Sequence, residues 1–125
     1  MPMEANTDMR ESIIEFVRRR DHVSFVELMD FLRAGDFPDV DGDHALEAAP
    51  NVILWLGMSQ RVTQTLMALR REGRLFAHPT HHFTYLVDGG MPNFPLAKRP
   101  LHGGYKTLHW LPVTLRVVPF ESKAA

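Results

Sequence analysis

Residues 56–76 read LGMSQRVTQTLMALRREGRLF. Ser59 offers a side-chain oxygen to the orphan amides of a first helical turn. Val62, Leu66 and Leu69 follow at i, i+4 and i+7, which makes one apolar face. Gly73 can take the left-handed conformation that ends a helix. Gly57, upstream, suits a sharp turn at positive φ. The pattern predicts a helix over 59–73, entered through a tight turn. Gln60, Arg61, Gln64, Thr65 and Arg71 project away from its apolar face.

Working toward the N-terminus, Met9, Ile13, Phe16 and Val17 recur at helical spacing and predict a first helix over about Asp8 to Arg20. Asp8 and Glu11 have capping-box spacing. Arg18, Arg19 and Arg20 face the negative end of that helix dipole. Asp21-His22-Val23 is a connector with room for one bridge of strand. Ser24 with Glu27 forms a second capping box, and Phe25, Leu28, Met29 and Leu32 line a second helix ending near Gly35. Residues 34–50 carry Asp36, Asp39, Asp41, Asp43 and Glu47 and predict an acidic insert, mostly loop. Pro50, a residue suited to a first helical position, predicts a short helical piece running through Leu56.

Toward the C-terminus, Leu75–Ala77 and Phe83–Val87 are β-prone runs flanking His78-Pro79-Thr80-His81-His82, which predicts a hairpin. Residues 88–104 are rich in Gly and Pro and predict irregular structure. Leu108 to Val118 is β-prone again, with Pro112 marking an edge or bulge. The chain thus divides into 1–87, with the insert at 34–50, and a Pro/Gly-rich basic arm with a strand at 88–125, packed on the same domain.

A chain of 125 residues with 45% hydrophobic residues supports one compact core. Zero Cys excludes disulfides, thiolate metal sites and Cys nucleophiles. The run Val52 to Met58 is far too short to span a bilayer, and the N-terminus lacks a signal-peptide pattern, so a soluble cytoplasmic protein is expected. The net charge of −1 conceals a split. Residues 1–58 hold 5 Lys and Arg against 12 Asp and Glu, a net of −7, and residues 59–125 hold 9 against 3, a net of +6. A basic half leaves nucleic-acid binding open, because the field on one face is what matters.

Helix, short strand, helix, helix and hairpin, in that order over residues 8–87, resembles the winged helix-turn-helix superfamily. Gly57, Ser59, Val62, Leu66, Leu69, Glu72 and Gly73 carry the resemblance. It implies an α+β fold of three helices plus a β-hairpin wing, here with a C-terminal β-rich extension. It also implies duplex DNA binding, with the helix over 59–73 in the major groove. Arg61 and Gln64 are the expected readers, since Arg pairs with guanine and Gln with adenine. Ser59, Gln60 and Thr65 stand beside them. Arg70, Arg71, Arg74, Lys98, Arg99 and Lys106 are expected at phosphates, and His81 at the wing. A homodimer joined through the first helix or the C-terminal strand would extend the footprint. The rival class is a non-catalytic adaptor in a larger assembly, which needs an exposed apolar patch, with Phe94, Leu96 and Trp110 as candidates.

Other chemistry fits poorly. Asp39-Val-Asp41-Gly-Asp43 matches positions 1, 3 and 5 of a calcium loop, but His44 stands where Gly belongs and Pro50 where a bidentate Glu belongs. His78, His81 and His82, with His102 or His109, offer imidazoles for a transition metal, but solvent-exposed turn histidines are the expectation. Lys98 to Lys106 is a basic loop able to follow a phosphate backbone, with Tyr105 as a stacking ring. Trp55 and Trp110 read as core or interface anchors. No Walker loop, His-Glu-x-x-His motif or serine elbow is present, so neither an enzyme nor a cofactor is expected.

Overall fold

The computed structural model describes residues 2–35, 37–97 and 105–120. The elements run α1 (Pro2–Arg20), α2 (Phe25–Ala34), β1 (Asp41–Ala49), β2 (Val52–Met58), α3 (Gln60–Arg71), β3 (Phe76–Pro79), α4 (Phe83–Asp88), β4 (His109–Trp110) and β5 (Val113–Arg116). The fold is mixed α+β. Among the described residues no helix is long and apolar enough to cross a membrane.

The three long helices form as their apolar spacing dictates. Met9, Ile13, Ile14 and Val17 of α1, Phe25, Leu28, Met29 and Leu32 of α2, and Val62, Leu66 and Leu69 of α3 are buried together. Phe16 stacks on Phe31 at 4.1 Å and fixes α1 against α2. The capping box on α2 is complete: Ser24 Oγ accepts from the Glu27 amide and the Glu27 carboxylate accepts from the Ser24 amide. The helix α1 begins earlier than expected, at Pro2, so Asp8 lies inside it instead of capping it.

The C-terminal part of the acidic insert is a strand and not a loop. Residues 41–49 form β1, which pairs antiparallel with β2 through irregular register from Asp41↔Met58 to Ala49↔Val52. The helical piece expected over 50–56 is likewise absent. Val52 to Leu56 is an apolar run of strand length, and its β-branched start packs well on a pleated surface buried on both sides. Pro50 and Asn51 make the turn. Asn51 has φ +60, the positive value that the second central residue of a type II turn requires after a proline.

Gly42 lets this hairpin reach α3. A Cβ there would lie 2.8 Å from both the Met58 carbonyl oxygen and Ser59 Cα, both backbone atoms that cannot rotate aside. Gly42→Ala is expected to cost about 1–3 kcal/mol by forced backbone displacement, read as a lower melting temperature. A melt unchanged from wild type would show that the contact is slack.

The hairpin expected from Leu75–Ala77 and Phe83–Val87 around residues 78–82 is not formed. Phe83–Asp88 is the short helix α4, ended by Gly89 at φ +98. The partner of β3 is β5, from Phe76↔Arg116 to Pro79↔Val113. The far side of β5 bridges Val23, with Leu115 exchanging both backbone hydrogen bonds with it. Strand order is therefore Val23, β5, β3. At Leu115 the C-terminal strand is paired on both sides, so it leaves no open edge there for a second copy. Between β3 and β5 the described residues 80–97 and 105–112 place α4 against α2 and β4 parallel to β2.

Ion pairs tie the periphery together. Arg116 binds Asp21 at 2.7 Å, Arg74 binds Glu11 at 2.9 Å and Arg33 binds Asp41 at 2.6 Å. Each hydrogen-bonded guanidinium holds its carboxyl below the usual carboxylate range. Depressed carboxyl pKa values contribute stability that is present above the unfolded value, near 4, and is lost as pH falls through the folded value. Melting temperature is therefore expected to decline on acidification below about pH 4.

Candidate functional site

The exposed side of α3 is where the sequence-predicted residues converge. Gln60, Gln64, Met67 and Arg71 are exposed and fall at i, i+4, i+7 and i+11 along one stripe. Arg61 and Thr65 flank the stripe on the side of α1, and Arg70 flanks it on the other. Ser59 is spent on structure: its Oγ accepts from the Val62 amide and donates to the Asp39 carbonyl at 2.6 Å. Thr65 donates its hydroxyl back to the Arg61 carbonyl.

Charge on this face differs from charge elsewhere. Arg10, Arg18, Arg19, Arg20, Arg33, Arg74 and Arg116 each reach a carboxylate within 4 Å. Among the described residues Arg61, Arg70 and Arg71 reach none, and all three lie on α3. Arg70 is half-buried beside Leu75, Phe76 and Phe120, and desolvation by that burial lowers its pKa. Arg74, in contrast, is committed to Glu11, which raises its pKa.

A groove of about 480 Å³ runs beside the stripe, lined by Arg10, Asp39, Gln60, Arg61, Gln64, Thr65 and Ala68. Arg61 donates through Nη1 to the Pro38 carbonyl at 3.2 Å. Its Nε and Nη2 are buried without a hydrogen-bond partner among the described residues. Asp39 and Arg10 belong to this groove and were not legible as site residues. Asp39 reaches it through its carbonyl bond to the α3 cap, and Arg10 through its pairing with Glu72. Neither contact has a local sequence signal.

The remaining predicted residues lie elsewhere. Lys106 is exposed near the β1–β2 turn, where Tyr105 bonds Pro50 and Asn51, and the length of β2 separates it from α3 by about 20 Å. His81 is exposed beyond the end of β3, stacked on His82 at 4.4 Å and against Phe83 at 4.5 Å. Lys98 and Arg99 lie outside the described residues, as does His102. His78 is not the solvent-exposed turn residue expected: it is buried in β3 with Nε2 bonded to the Val118 carbonyl. Among the described residues no group of three His, Asp or Glu side chains could hold a metal ion.

The apolar patch expected at Phe94, Leu96 and Trp110 is not exposed. Trp110 is fully buried, and the other two pack against the core. Exposed apolar side chains gather on α4 instead, where Phe83 and Leu86 are about 60% exposed and Val87 is 83% exposed. No protein-family model, curated protein or solved structure matches this chain.

Proposed function

We propose that this chain is a winged helix-turn-helix protein that binds duplex DNA through α3, as a small cytoplasmic regulator of transcription. The order α1, Val23, α2, α3, β3, β5, with β5 between Val23 and β3, supports that fold reading. In it the β1–β2 hairpin occupies the helix-turn-helix turn, and α4 and β4 lie between the two strands of the wing. The observation that carries the functional reading is the selective one: among the described residues, the arginines outside α3 pair with carboxylates and those of α3 do not. Unpaired guanidinium groups around exposed Gln60 and Gln64 combine phosphate attraction with base-edge hydrogen bonding.

The test is fluorescence anisotropy with a mixed-sequence duplex over a salt series. Binding that weakens steeply with salt is the expected result. No binding at low salt would overturn the reading.

The exposed stripe of Phe83, Leu86 and Val87 favours a second reading, a non-catalytic adaptor that meets protein through α4. In that case Leu86→Glu/Val87→Glu removes partner capture while Arg61→Ala/Arg70→Ala/Arg71→Ala leaves it intact. The two surfaces are separable, since α4 rests on α2 through Tyr85, whose hydroxyl accepts from the Phe25 amide.

A further inference from the structure

We infer that the cleft at the C-terminal end of α3 binds a small apolar carboxylic acid, and that the bound acid withdraws Arg70 from duplex DNA; the second half alone rests on DNA being the ligand of α3. The cleft measures about 420 Å³ and is lined by Arg70, Leu75, Phe76, Ala77, Pro119 and Phe120. That volume lies within the range of small-molecule sites. Among the described residues that line it, Arg70 alone has a polar side chain.

Arg70 sets the charge of the ligand. Its guanidinium is half-buried, and among the described residues it has neither a carboxylate partner nor a hydrogen-bond acceptor. A cation taken out of water without a partner carries a desolvation cost, and an anion seated on it offsets that cost. Arg33, Arg74 and Arg116 show what the guanidinium groups of this chain take when they are satisfied, which is a carboxylate. The walls set the rest of the ligand. Phe120 is 53% exposed and Val118 beside it is 41% exposed, so apolar surface stands open to water next to the cation. An apolar body would cover it and gain by burial. Inorganic phosphate has no such body and brings more negative charge than one guanidinium balances. A duplex phosphate can meet the guanidinium but leaves the Phe120 wall uncovered.

The site is held in shape by the fold itself. Phe76 pairs with Arg116 in the β3–β5 ladder. Beyond β5 the chain turns back over β3, where His78 donates through Nε2 to the Val118 carbonyl at 2.7 Å and meets the Phe120 ring edge-on at 5.4 Å. The wall formed by Pro119 and Phe120 therefore stands before any ligand arrives, and little ordering is left for binding to bring about. A guanidinium that holds a carboxylate adds no net charge to the field of α3, so the acid acts on DNA binding by removing the share that Arg70 contributes.

The experiment titrates 4-phenylbutyrate, its neutral amide and acetate into the full chain, with calorimetry for affinity and NMR shifts of Phe76 to locate the site. Wild type is expected to bind 4-phenylbutyrate saturably and the other two at least about tenfold more weakly, since each lacks one half of the recognition. Arg70→Gln should lower affinity for the acid to that for the amide and leave the amide unaffected. Phe120→Ser should weaken both, and Arg18→Gln, which removes the same charge away from the cleft, neither. No saturable binding of 4-phenylbutyrate, shifts that spare Phe76, or equal affinities of wild type and Arg70→Gln for the acid would overturn the site. In duplex anisotropy, saturating 4-phenylbutyrate against acetate at equal ionic strength should weaken wild type by the factor that Arg70→Gln itself costs, and should not weaken Arg70→Gln further. Acid binding with unchanged duplex affinity defeats the withdrawal of Arg70 alone. A wild type that binds the acid but no duplex defeats that half together with DNA binding, while the acid site stands. Circular dichroism melts confirm that each variant is folded.

Discussion

Arg61→Ala/Arg70→Ala/Arg71→Ala is expected to lose duplex binding at physiological salt, with binding recovered only at low ionic strength. Each phosphate contact removed flattens the slope of log affinity against log salt by about 0.9, so loss of the Arg70 and Arg71 contacts would take close to two units from it, and loss of Arg61 removes a base contact besides. The charge-matched control is Arg18→Ala/Arg19→Ala/Arg20→Ala. Those arginines sit at the exposed end of α1 and face Glu15 and Glu27. They should change affinity little, because their field is largely cancelled within the molecule. Equal losses in variant and control would reduce the effect to net charge and remove α3 as a binding face. The triple variant should fold at least as well as wild type. Arg61 carries two buried unpaired donors, each costing about 1–3 kcal/mol, and alanine removes both. A melting temperature that holds while affinity collapses separates a binding role from a structural one.

The parts of this fold that a linear reading reaches are those in which one element contains its own instructions. In α3 the capping serine, the i, i+4, i+7 apolar face and the terminal glycine lie within fifteen residues, and the helix forms between them, with Gly73 at φ +74. Gly57 takes φ +81, as a turn-forming glycine should, though it does so at the end of a strand. What escapes is whatever depends on a distant partner. Phe83–Val87 has strand propensity, but Tyr85 is pulled inward to hydrogen-bond Phe25 and Val113, and the place beside β3 is taken by β5. Acidic β1 shows no apolar alternation because a single side chain, Leu46, is buried along it. Its strand character comes from β2. The site divides in the same way. Arg61 and Gln64 are placed by their own helix, whereas Asp39 joins them through a hydrogen bond twenty residues away.

Trp110→Ala is expected to remove a large share of the protein's stability, read as a strongly lowered urea midpoint, because this one side chain joins segments that are remote in sequence. It is 1% exposed and donates Nε1–H to the Leu54 carbonyl at 3.1 Å. Its ring meets Tyr85 edge-on at 5.0 Å and Trp55 at 6.3 Å. Its backbone bridges the Pro95–Ala97 segment, with its amide on Pro95 and its carbonyl under Ala97. Truncating a buried Trp costs about 3–5 kcal/mol, against about 5–15 kcal/mol of total stability for a small domain. Trp55 remains as the reporter for urea denaturation. Trp110→Phe keeps most of the volume and loses only the indole hydrogen bond, so its midpoint should fall far less. Equal midpoints for wild type and Trp110→Ala would mean that α4 and β4 merely decorate a core complete without them. The geometry argues against that. β5 is reached only through these elements, and β5 supplies the rung between Val23 and β3 on which α1, α2 and α3 close. The same link carries the loss to the binding face. Trp110 holds β2 through Leu54, and β2 delivers Met58 and Ser59 to the start of α3. Duplex binding by Trp110→Ala should therefore fall in step with the folded fraction measured in the same sample. Binding that persisted in an unfolded chain would mean that the arginines act as a charged segment, with no need for the helix that presents them.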